Sequence, residues 1–161
     1  MWSEITLQGI VARDAKTISD LTKLAAAQRL MNAVYDRTYT LADLGRMFGR
    51  KERLKIKAWY YDDGTTIATL VTKLNGMGEM RLLTTACGAG DPELAADIVQ
   101  DKLKSVMPLY SATSCYALWG AVNYEAGNIY FSKFVERAKT AFSSAVNEEY
   151  FPGSYKLTML L

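Results

Sequence analysis

Cys87-Gly88-Ala89-Gly90 runs directly into Asp91-Pro92, a pair suited to the N-cap and first position of a helix. Glycines let main-chain N–H groups approach phosphate oxygens, and a helix N-terminus adds a favourable dipole. The stretch Thr84 to Gly90 is therefore a candidate anion cradle. Asp91 works against it by placing a negative charge alongside, and Pro92 removes one donor. Cys87 and Cys115 are the only cysteines. Activation of Cys87 as a nucleophile would rest on the same helix N-terminus, and Asp91 opposes a thiolate there. Both read as free thiols in a reducing compartment.

The chain has no histidine. That removes His-dependent triads, the usual zinc sets and the commonest general base. The carboxylates are too few and scattered for a metal cluster or a glycosidase pair. Arg46, Arg50, Lys51, Arg53, Lys55 and Lys57 stand close to Trp59, Tyr60 and Tyr61, a mixture able to contact phosphates and stack on bases. An outward row of Lys55, Lys57 and Trp59 would form that surface. Glu52, Asp62 and Asp63 dilute it, so a solvated strand face is the reading adopted and nucleic acid is not an expected partner.

These residues need a scaffold. The chain has 161 residues, of which 50% are hydrophobic and 22% charged. This suits one globular domain over residues 1–161, large enough to bury about two-thirds of its unfolded surface. Lys+Arg number 19 and Asp+Glu 17, a formal charge of +2, too near neutral to argue for a polyanionic partner. The N-terminus lacks a basic run followed by an apolar core, and no apolar stretch approaches the ~20 residues of a membrane span. A cytoplasmic protein is expected.

Ile5 to Arg13 reads as a first strand. A helix follows, with Ile18, Leu21, Leu24, Ala25, Met31 and Val34 at helical spacing, then a shorter one from Thr40 through Leu41, Leu44, Met47 and Phe48. Leu54, Ile56, Ala58 and Tyr60 alternate with Lys55, Lys57 and Trp59 as a strand. Asp63-Gly64 marks a two-residue hairpin, Thr65 to Lys73 the returning strand, Asn75 to Gly78 a second turn, and Glu79 to Ala86 a third strand. After a flexible corner at Cys87 to Gly90, a helix opens at Asp91-Pro92. It carries Leu94, Ala95, Ile98, Val99, Leu103, Val106 and Met107 on one face and stops at Pro108. Cys115 to Val122 is a short buried strand, Ala126 to Thr140 a helix, and Ala141 to Glu149 with Tyr155 to Leu161 a closing hairpin around Pro152-Gly153. The order is β-α-α-β-β-β-α-β-α-β-β: an α/β (α+β) fold with a mixed, largely antiparallel sheet flanked by helices.

That order resembles the GNAT-type N-acyltransferase fold along nearly the whole chain, with three local matches. Val11-Ala12-Arg13-Asp14-Ala15 followed by Asp20-Leu21 is similar to the family's opening strand and helix. Thr85-Ala86-Cys87-Gly88-Ala89-Gly90 resembles its pyrophosphate signature [QR]-x-x-G-x-[GA], with Thr85 where Gln or Arg is usual. Asn123-Tyr124-Glu125-Ala126-Gly127-Asn128-Ile129-Tyr130 matches N-x-x-A-x-x-[LI]-Y, although Phe134-Val135 stands where Gly-Phe normally follows.

The resemblance implies acetyl-CoA as cofactor and transfer of an acetyl group to a primary amine of a small molecule or protein. Backbone amides of Thr84, Thr85, Ala86, Cys87, Gly88, Ala89 and Gly90 would hold the cofactor, and Asn123 would contact its arm. Tyr130, whose reference pKa of ~10 keeps it protonated, would protonate the leaving thiolate. Glu79, or less directly Glu125, would be the base. The cleft would open where two central strands diverge after Ala86. The C-terminal stretch from Ala145 to Leu161 also resembles small GNAT-like phage proteins. Its alternative implication is a catalytically inactive protein of the same fold, a virion or host-interaction component in the host cytoplasm or the virion, working with a protein partner or a second copy.

Overall fold

The computed structural model describes residues 2–5, 56–120 and 129–161. They form one seven-stranded sheet, order β1-β2-β3-β4-β5-β7-β6, with two helices. The strands are β1 (Trp2–Ile5), β2 (Ile56–Asp62), β3 (Ile67–Gly76), β4 (Glu79–Ala89), β5 (Ser114–Gly120), β6 (Ser144–Phe151) and β7 (Ser154–Leu160). The helices are α1 (Pro92–Leu109) and α2 (Ile129–Ala141). Every neighbouring pair is antiparallel except β4–β5. A parallel pair needs a crossover, and α1 is that crossover. The largely antiparallel mixed sheet is the expected one. The two helices expected between residues 14 and 48 lie outside the described residues, as does most of the first strand, which is already paired at Trp2.

Several boundaries move for physical reasons. The β2–β3 connection spans Asp63 to Thr66 rather than two residues. Asp63 organises it, its Oδ1 accepting from Thr65 N at 2.9 Å and Thr66 N at 2.7 Å. The tight turn is the next one, Met77-Gly78, where both residues have positive φ, 55° and 76°. α1 begins as expected, with Asp91 accepting from Glu93 N at 3.0 Å. Pro108 does not stop it but sits in its last turn, since proline lacks only the N–H and its φ suits a helix. β6 starts at Ser144 because Ala141 closes α2.

The core lies between the sheet and one face of α1 and α2. Met80 and Leu82 from β4, Cys115 and Ala117 from β5, and Leu157 and Met159 from β7 meet Val99, Leu103, Met107 and Phe134. Leu94, expected on the buried face of α1, is 49% exposed. Trp59, expected to point outward, is buried in the core, with the Lys102 ammonium 5.8 Å from its ring. Lys57 lies over Tyr110. The proposed stacking row on β2 is therefore absent, and Arg46, Arg50, Lys51, Arg53 and Lys55 lie outside the described residues.

The helices are tied to each other by polar contacts. Arg137 of α2 pairs with Glu93 and, at 3.4 Å, with Asp97 of α1. The buried Gln100 Nε2 donates to the Phe134 carbonyl at 2.9 Å. No helix among the described residues is long and apolar enough to cross a membrane.

Candidate functional site

β4 and β5 pair over four rungs only, from Glu79↔Ser114 to Leu82↔Ala117. β4 then runs on to Ala89 and β5 to Gly120 without pairing to each other. The sheet therefore opens in a V at its centre. The opening starts after Leu82, four residues earlier than the divergence expected after Ala86. Beyond that point β4 keeps β3 on one side and, among the described residues, has no strand on the other. About half of its main-chain N–H and C=O groups, those turned away from β3, have no ladder partner among the described residues.

A β-bulge marks the start of the opening. Thr72 pairs with Leu82 and Val71 with Thr84, which leaves Leu83 as the extra residue. A bulge bends its strand and increases the local twist, which carries β4 away from β5. It also changes which side chains face the helices. Met80 and Leu82 point into the core, and after the bulge Thr85 takes over that face. The trace in the sequence is the adjacent pair Leu82-Leu83, which breaks the period of two.

Thr84, Thr85, Ala86, Cys87 and Ala89 all lie on β4 and pair with β3, so the expected flexible corner is strand almost to its end. Gly88 is the extra residue of a second bulge, between Ala68↔Cys87 and Ile67↔Ala89. The corner itself is Gly90, at φ +94°. A Cβ there would sit 2.7 Å from Thr66 Oγ1 and 3.1 Å from Thr65 O. Gly90 is thus required by the β2–β3 connection that packs against it. At the N-terminus of α1, Pro92 has no N–H, Glu93 N donates to the Asp91 carboxylate, and Ala95 N donates to Asp91 O at 2.9 Å. The helix end is already capped by an anion, so the main chain of β4 beyond Leu82 is the better candidate anion cradle, with Thr85 and Ala86 buried and residues 88–90 exposed at its end.

Tyr130 opens α2 and is 3% exposed. Its hydroxyl lies 2.5 Å from Thr85 Oγ1, and Thr85 Oγ1 donates to Thr69 O at 2.8 Å. The carbonyl can only accept, so in the shared bond the tyrosine donates to the threonine. This chain ties the first turn of α2 to β4 just past the first bulge. Asn123 lies outside the described residues. Glu79 sits at the opposite end of β4, exposed on the face turned away from the helices, and accepts from Asn75 Nδ2 at 3.3 Å. Six residues of strand, roughly 20 Å, separate it from Thr85. The structure does not bring Glu79 and Tyr130 together; it puts them on opposite sides of the point where the strands part.

Half-burial is the main cause of the raised pKa of the Cys87 thiol, with Asp91 adding to it. Burial pushes Cys115 up to about 12. Neither is a thiolate at neutral pH. Among the described residues no group of acidic or cysteine side chains could hold a metal ion.

The fold recurs in solved structures. Ard1 from Thermoplasma volcanium superposes with a TM-score of 0.61 at 10% identity, covering 99% of this chain and 97% of that one. The chain has the GNAT-type N-acyltransferase fold. The GNAT domain of S. lividans PAT matches at TM-score 0.61 and 15% identity, covering 99% of this chain and 89% of its own. The Escherichia coli ribosomal-protein-S18-alanine N-acetyltransferase matches at 0.59 and 14%, covering 99% and 94%. No family model and no curated protein sequence matches the chain.

Proposed function

We propose that this chain binds acetyl-CoA in the opening between β4 and β5 and transfers the acetyl group to a primary amine of a small molecule or protein. The observation that carries the reading is the ladder that ends at Leu82↔Ala117 while β4 continues to Ala89. The main chain of Thr84 to Gly90, paired among the described strands with β3 alone, would hold a polar, negatively charged guest, and Asn123 would contact its arm. The cofactor supplies an activated thioester. The amine nitrogen bonds to the carbonyl carbon, the C–S bond breaks, the sulfur gains a proton and the nitrogen loses one.

Tyr130 stands on the helix side of the opening and Glu79 on the other face, so acid and base would approach the carbonyl from opposite sides. Tyr130 would first turn its proton from Thr85 to the sulfur. Glu79 is three residues from the last rung, ~10 Å, and would take the amine proton through water. Solved structures of the same fold include a spermidine N-acetyltransferase from Vibrio cholerae, which supports an amine acceptor. The test is thiol release from acetyl-CoA across a panel of primary amines. Amine-dependent release that falls ~10²-fold or more in Tyr130→Phe supports the reading. No release with any amine removes it.

Two observations favour a second reading, a catalytically inactive protein of this fold, for which the C-terminal resemblance to small phage proteins suggests a virion or host-interaction role. The Asp91 carboxylate already caps α1, and the Tyr130 proton is directed to Thr85. Asp91→Asn separates the two. Acetyl-CoA affinity that rises in the variant supports a cofactor beside that carboxylate, and an unchanged lack of binding supports the inactive protein.

A further inference from the structure

On the sheet face turned away from α1 and α2, two cations share one aromatic ring beside the opening. Arg81 and Tyr116 stand opposite each other on β4 and β5, one rung before Leu82↔Ala117. Lys156, across from Leu118 on β7, reaches back over the same ring. The Arg81 guanidinium carbon is 6.0 Å from the Tyr116 centroid and the Lys156 Nζ is 4.9 Å from it. Asn75 Nδ2 donates to the Tyr116 hydroxyl at 3.1 Å and fixes the ring.

Neither cation forms an ion pair with a described residue. Among the described residues, carboxylates on this face do not neutralise the two cations. Glu79 accepts from Asn75, and Glu148 stands across the ladder from Lys156 without bridging to it. Arg81 Nε is shut off from solvent with no acceptor. The ring's quadrupole attracts each cation, but two like charges held over one ring repel. An oxyanion between them would gain from both through charge-assisted hydrogen bonds. The pair lies within about two strand residues, ~7 Å, of the point where β4 and β5 part.

We propose that Arg81 and Lys156, braced on Tyr116, form a carboxylate subsite that selects amines carrying an acidic group a few bonds from the nitrogen. That such an amine is the acetyl acceptor rests on the transfer reading above; the subsite does not.

The test titrates the protein, without cofactor, with γ-aminobutyrate and with n-butylamine, following amide NMR shifts. The expected result is saturable binding of γ-aminobutyrate with shifts centred on Arg81, Tyr116 and Lys156, and n-butylamine weaker by about tenfold or more. Arg81→Gln and Lys156→Gln each lower γ-aminobutyrate affinity about tenfold, leave n-butylamine unchanged, and reduce the salt dependence. Lys156→Gln, at a partly exposed position of β7, serves alone if Arg81→Gln fails to fold. Equal affinity for the two amines, or variants that bind γ-aminobutyrate like the wild type, overturns the proposal. Selective binding in a protein that shows no response to acetyl-CoA retains the subsite and retires the transfer reading. Acetyl-CoA binding without amine selectivity does the reverse.

Discussion

Burial separates the two thiols. Cys115 is enclosed by β4 and α1 residues, and loss of hydration is the main cause that holds its pKa near 12, with Glu79 adding a smaller push. A raised folded-state pKa means that the unfolded chain ionises first, so stability is full below the ordinary value of 9.0 and is lost as pH rises toward about 12. Cys115→Ala should flatten the alkaline arm of the stability curve by up to about 1.4 kcal/mol per pH unit, checked by urea titrations across that window. A thiol reagent at neutral pH should label half-buried Cys87 first and Cys115 only on unfolding. The hydrogen-bonded chain from Tyr130 through Thr85 to Thr69 O makes a second residue-scale prediction. Tyr130→Phe should lose about 1 kcal/mol of stability, read as a lower urea midpoint at unchanged slope. Sequence spacing placed Tyr130 on a helix; its proton's destination depends on Thr85, forty-five positions away, and was not legible.

Turns and corners set the element scale. Met77 holds φ 55° at the tip of the β3–β4 turn and is fully exposed, so the site has backbone strain and no side-chain packing to lose. Met77→Gly should stabilise the protein by about 0.5–1 kcal/mol, a rise of a few degrees in Tm. Gly90 is the opposite case. Its positive φ and the Thr66 backbone leave no room for a Cβ. Gly90→Ala should destabilise by about 1–3 kcal/mol and loosen the β2–β3 connection, seen as faster amide exchange there. The punctuation Asp63-Gly64, Asn75 to Gly78, Asp91-Pro92 and Pro152-Gly153 correctly announced four junctions. What it misjudged was length, because Asp63 accepts two main-chain N–H groups and so stabilises a longer connection than the Asp-Gly pair suggests.

At the scale of the whole molecule, the mixed, largely antiparallel sheet was readable because strand, turn and helix signals alternate along the chain. The opening at its centre was anticipated in kind but misplaced by four residues. Its position depends on the Leu83 bulge, which is a property of how β4 pairs with β3 rather than of any one residue. Trp59 shows the same limit, since alternation reports two faces but not which face receives α1. The proposed acetyl-CoA site lies at the parted strands, because there β4 keeps only β3 as a partner among the described strands. Calorimetric titration of acetyl-CoA into the intact protein tests that claim most directly. One saturable site per chain, with a Kd tighter than about 1 mM, is the predicted result. Absence of heat, together with no rise in Tm at millimolar acetyl-CoA, would contradict it.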